Sequence, residues 1–79
     1  MPNDSNEFQQ TAGSGIPGRS GQYLVKIEDR AASEYCPSVQ VAYFDQSFQR
    51  WQTEVYQPHR GTMEPTDITD AVTVWWHLP

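Results

Sequence analysis

Gly21-Gln22-Tyr23-Leu24-Val25-Lys26-Ile27-Glu28 is the stretch whose reading decides the fold. Tyr23, Val25 and Ile27 fall on one side of an extended chain and Leu24, Lys26 and Glu28 on the other, the period of two that marks a strand. Working outward, Val39 to Phe44 is rich in β-branched and aromatic side chains and reads as a second strand. Asp45-Gln46-Ser47-Phe48 then reads as a turn, and Arg50 to Tyr56, with Trp51, Thr53 and Val55 on one face, as the returning arm of a hairpin.

Between these elements the chain is punctuated. Asp29 to Pro37 reads as a loop with a short helical turn at Arg30-Ala31-Ala32-Ser33, and Pro58, Gly61 and Pro65 predict a long loop over 57–70. Thr66-Asp67-Ile68-Thr69-Asp70 predicts a brief helical turn, because the oxygens of Thr66 and Asp67 suit free backbone N–H groups. Ala71 to Leu78, carrying Val72, Val74, Trp75 and Trp76, reads as the final strand. Residues 1–20 are polar, with Gly13, Gly15, Gly18 and two prolines, and only Phe8 and Ile16 as large apolar groups; they predict a flexible tail. The expected architecture is mainly β: one domain over 21–79, a small antiparallel sheet or partly open barrel of about four strands.

Composition narrows the chemistry. A chain of 79 residues allows one small core, whose net stability is a few kcal/mol at most. The single cysteine, Cys36, excludes an intramolecular disulfide and points to a reducing compartment. No apolar run approaches the ~20 residues that cross a bilayer, and Met1 to Glu7 lacks the basic and apolar regions of a signal peptide, so a cytoplasmic location is expected. Five Lys and Arg against ten Asp and Glu leave a net charge of −5, which disfavours a phosphate-backbone ligand.

Catalytic and metal-binding patterns are not found. His59 and His77 are the only histidines, and no His-x-x-His, Cys-x-x-Cys or His-Glu-x-x-His spacing occurs. Gly13-Ser14-Gly15 and Gly18 precede the first strand, where a phosphate-cradling loop would follow it. Asp67 and Asp70 are imaginable as paired carboxylates, but a chain this small offers little room for the pocket that such chemistry needs, and solvated or capping roles suit them better. The expectation is a non-enzymatic chain without metal or cofactor.

The closing Val72-Thr73-Val74-Trp75-Trp76-His77-Leu78-Pro79 resembles the V-T-x-W-x-x-L-P signature of a small phage and prophage family, number 551 among the domains of unknown function. Ile16-Pro17 followed by Gly21-Gln22-Tyr23-Leu24-Val25 is similar to that family's opening, and Val41-Ala42-Tyr43 with Trp51 to its middle strands. The likeness covers roughly residues 16–79, and the family's usual Trp-Ile start is missing. It implies a phage or prophage origin in bacterial cytoplasm and carries over no catalytic residue.

The aromatic residues supply the functional expectation. Neighbours on a strand point to opposite faces, so Trp75 and Trp76, like Tyr43 and Phe44, place large rings on both sides of the sheet. Either the 29–37 and 57–70 loops or a curled barrel cover the second face, or part of it is an interface with another copy or a host protein. The residues expected to contact a partner are Tyr43, Phe44, Trp51, Asp67, Asp70, Trp75 and Trp76. The expected function is that of a small acidic protein-binding module, with inhibition of a host defence or nucleic-acid-handling protein as one mode. The alternative is a single-strand nucleic-acid binder that stacks bases on these rings, with Lys26, Arg30, Arg50 and Arg60 tracking the backbone.

Overall fold

Strict alternation in the first strand sets the side of the sheet on which the core forms. In the computed structural model, which describes residues 12–13 and 15–79, β1 spans Gly21–Ile27 and buries Tyr23, Val25 and Ile27 while Gln22 and Lys26 face outward. β2 (Val39–Asp45) pairs antiparallel with β1 along nearly its whole length, from Gly21 opposite Phe44 to Lys26 opposite Val39. β3 (Arg50–Gln57) returns beside β2, β4 (Thr62–Asp67) beside β3, and β5 (Val72–Trp76) lies against the other edge of β1. The sheet is therefore antiparallel throughout, in the order β4-β3-β2-β1-β5.

The mainly β architecture is as expected, with five strands in place of about four. The additional strand, β4, runs through the segment read as a long loop. Gly61, at φ 70°, closes a tight hairpin turn in which the N–H groups of Arg60 and Gly61 both donate to the Gln57 carbonyl, at 3.0 and 2.7 Å. Pro65 is tolerated because β4 is an edge strand, where a missing N–H need not break a ladder. The helical turn expected over Thr66–Asp70 is instead the end of β4 followed by a turn. Asp67 still caps it, its Oδ1 accepting the Thr69 N–H at 2.9 Å, and Ala71 N–H donates to the Ile68 carbonyl at 2.9 Å. The other helical turn is a single 3-10 turn at Asp29–Ala31.

The sheet splays. The pairing of β2 with β3 runs only from Tyr43–Gln52 to Asp45–Arg50, whereas β2 continues along β1 and β3 along β4. Gln40 bridges the opening: its Oε1 accepts the Thr53 hydroxyl at 2.7 Å and its Nε2 donates to the Pro37 carbonyl at 2.7 Å. Curling in this way brings the concave faces of both halves around one core of Tyr23, Val25, Ile27, Cys36, Ala42, Phe44, Trp51, Ile68 and Trp75. Cys36 comes from the 29–38 loop and Ile68 from the β4–β5 turn, so connecting segments cover this face. Each such side chain contributes roughly 1.5–3 kcal/mol by leaving water.

The expected tail covers residues 1–20, of which 12–13 and 15–20 are described. Residues 1–11 and 14 lie outside the described residues, but Pro17 is fully buried, and Gly13, Gly15 and Arg19 are hydrogen-bonded to β1 and β5. Ser20 Oγ accepts the Gln46 N–H at 2.8 Å, tying the same segment to the β2–β3 turn. The packed unit thus begins before Gly21.

Candidate protein-binding surface

β2 is the central strand, and its alternation leaves a row of apolar side chains in water. Ala42 and Phe44 point into the core, while Val39, Val41 and Tyr43 point outward with 41, 44 and 39 % of their surfaces exposed. Leu24, opposite Val41 and itself paired with Trp76, extends this face over β1 to β5, and Met63 exposes 57 % of its surface on β4. Cys36 and Ile68, from the connecting segments, belong to the opposite side; on this side the Tyr35 ring of the 29–38 loop lies 5.2 Å from that of Tyr56 on β3, while Val39, Val41 and Tyr43 stay exposed. β-Branched side chains at the middle of a sheet are ordinarily packed against something, so this exposed centre is the most interface-like feature of the chain.

The residues expected to meet a partner divide between the two faces. Tyr43 lies on the open face, and Trp76, half-buried, follows the same alternation on β5. Phe44, Trp51 and Trp75 are 0, 4 and 7 % exposed and belong to the core, which corrects their assignment as contact residues. The reason is the sheet's curl: their side carries the covering loops. Phe44 and Trp51 rings lie 4.9 Å apart, and Tyr23 sits edge-on between Trp51 and Trp75, with centroids 5.8 and 5.1 Å away. Val39 and Val41 stand outside the expected contact set, although their alternation with Ala42 and Phe44 is legible in the sequence.

Asp67 and Asp70 lie elsewhere, at a concavity of about 490 Å³ on the core side. Its floor is Cys36, Val55, Ile68 and Ala71. Asp67 forms an ion pair with Arg50 at 2.7 Å, with both side chains about half exposed. The hydroxyl and then the main-chain N–H of Thr69, with further help from Arg50, hold the Asp67 carboxyl below its ordinary value of 3.8, against a smaller opposing effect of burial. This is a capped turn residue in a local ion pair, a sufficient account of its position.

Three cations of the folded part are similarly engaged: Arg30 pairs with Glu28 at 3.0 Å, Arg50 with Asp67 and Arg60 with Glu64 at 2.9 Å. That removes most of the positive charge the nucleic-acid alternative would need, since each pair presents little net charge to a phosphate. Among the described residues, no three of His, Cys, Asp and Glu gather as metal ligands, and no helix is long and apolar enough to cross a membrane. His59 is exposed at the β3–β4 turn, whereas the His77 ring lies edge-on to Trp75 at 5.2 Å and tilted against Tyr23 at 5.6 Å. Comparison with protein-family models, with curated proteins and with solved structures returned no match.

Proposed function

We propose that this chain is a small, non-enzymatic protein-binding module whose contact surface is the open face of the sheet, centred on Val41 and Tyr43. One observation carries the proposal: the central strand exposes Val39, Val41 and Tyr43 at about two-fifths each, where a self-contained sheet would bury them. The partner is a protein with an apolar patch in a basic surround. A net charge of −5 makes two copies repel and steers the chain towards a cationic partner, which favours a different protein over self-association. The resemblance carried by residues 16–79 adds the setting: a phage- or prophage-encoded accessory protein in bacterial cytoplasm that engages, and in its simplest use inhibits, a host protein.

Val41→Glu places a charge at the centre of the face without touching the core. The variant should fold with wild-type stability and lose a nuclease-resistant host protein that the wild type retains at near-equal stoichiometry from bacterial lysate. The reading fails if Val41→Glu and Tyr43→Ala retain that protein undiminished. It fails equally if the captured material disappears with nuclease, or if sedimentation shows a wild-type dimer that Val41→Glu dissociates.

A further inference from the structure

The sheet opens between β2 and β3 where their ladder stops. That ladder ends at Tyr43 opposite Gln52, and the same register carried two residues further would set Val41 opposite Glu54. Every second residue of an antiparallel strand turns its N–H and C=O to the same neighbour. The Ile27 N–H donates to the Ser38 carbonyl at 2.8 Å, so Ser38, Gln40, Ala42 and Phe44 serve β1, and Val41 and Tyr43 turn their main chains to β3. The Val41 carbonyl therefore faces the gap, outside the ladder. The Thr53 hydroxyl reaches it only at 3.4 Å, because its single hydrogen has the Gln40 Oε1 at 2.7 Å.

On the open face this gap forms a cleft of about 200 Å³, with Gln22, Val41, Tyr43, Gln52 and Glu54 among its walls. Gln22, Tyr43 and Gln52 stand side by side across three strands, since Tyr43 is paired with both glutamines. Pockets for drug-sized molecules run to roughly 300–1,000 Å³, so this one suits a single side chain. Its polar groups offer acceptors: the Glu54 carboxylate, the Val41 carbonyl and the amide oxygens of Gln22 and Gln52. Glu28, Asp67 and Glu64 each hold an arginine, whereas Glu54 has neither an ion pair nor a side-chain hydrogen bond among the described residues. Lys26, the cation of β1 on this face, stands opposite Val39 and outside the cleft. A carboxylate and a carbonyl beside a phenol ring suit a guanidinium, whose planar fork of donors serves several acceptors at once and stacks on aromatic faces; an ammonium is a point charge. Taking the open face as the contact surface proposed above, we infer that this cleft is an arginine subsite. The partner inserts one arginine side chain between β2 and β3, its guanidinium on the Glu54 carboxylate and the Val41 carbonyl and against the Tyr43 ring.

The acetylated and amidated tripeptide Leu-Arg-Leu is the probe, titrated into the isotope-labelled full-length chain and followed by NMR. Tripeptides with lysine or with citrulline, an uncharged isostere of arginine, in the middle are the comparisons. The arginine peptide should shift the Gln52 side-chain amide and the Val41 and Glu54 main-chain resonances, and bind at least tenfold more tightly than the citrulline peptide. Glu54→Gln, a nearly isosteric change at an exposed position, should lose at least tenfold, while Asp67→Asn binds as wild type does. The inference is overturned if those resonances stay in place up to the solubility of the peptide, if the lysine or citrulline peptide binds as tightly, or if Glu54→Gln binds undiminished. Capture from lysate separates the subsite from the broader reading. A host protein lost with Val41→Glu but retained undiminished with Glu54→Gln overturns the subsite and leaves the open face as the contact surface. Arginine-selective binding at the cleft with no protein captured upholds the subsite and removes the host protein.

Discussion

The two hairpin turns of the sheet make an internally controlled experiment. Asp45 pairs with Arg50 and Gln57 with Thr62, so each turn spans four residues, and in each the last one is left-handed: Gln49 at φ 55° and Gly61 at φ 70°. Nature has placed glycine in one and glutamine in the other. A Cβ at Gly61 would meet nothing within 4 Å, so replacing it changes only backbone energetics. A residue with a Cβ in this region costs about 1–2 kcal/mol, and alanine recovers about 0.4–1 kcal/mol by stiffening the unfolded chain. Gly61→Ala should therefore destabilise by about 1 kcal/mol, and Gln49→Gly should stabilise by a similar amount through the same difference reversed. For a chain of this size about 1 kcal/mol moves the melting temperature by roughly 4–8 °C, a large part of a total near 3–5 kcal/mol. Urea and thermal unfolding read by tryptophan fluorescence measure both variants. A Gly61→Ala protein as stable as wild type, or a Gln49→Gly protein that is less stable, would refute the reasoning.

Three further outcomes follow from the packing and electrostatics. Because the native Asp67 carboxyl titrates below its ordinary value, its contribution is fully present above that value and is lost as pH falls through the depressed native one. In unfolding experiments the advantage of wild type over Asp67→Asn should shrink steadily from about pH 5 downward; an advantage that grows on acidification contradicts the assignment. Trp75→Phe should remove a blue, quencher-resistant component of emission, since Trp75 is 7 % exposed, while Trp76→Phe should remove a more accessible one, as acrylamide quenching will show. Phe44→Ala, at a side chain with no exposed surface, should cost about 3–5 kcal/mol and leave the chain largely unfolded by circular dichroism.

How much of this was legible in the sequence follows the physics of alternation. By itself the sequence determined that the chain is mainly β, that Tyr23, Val25 and Ile27 share one face, where β1, β2, β3 and β5 run, and that Trp75 and Trp76 point to opposite sides. These are period-two properties, local to each strand. β4 was hidden because Thr62-Met63-Glu64-Pro65-Thr66-Asp67 has no apolar face and holds a proline; an edge strand needs neither a buried side nor a full ladder, and only its neighbour β3 makes it a strand. Which face is covered was also beyond local reading, for it depends on the splay between β2 and β3 and on loops from 29–38 and 68–71 closing over one side. That long-range decision placed Phe44, Trp51 and Trp75 in the core and left Val39, Val41 and Tyr43 in water. The polar, glycine-rich segment before Gly21 reads as a tail on composition. Only the tertiary structure supplies the Trp75 ring against which a residue without a side chain is the one that fits.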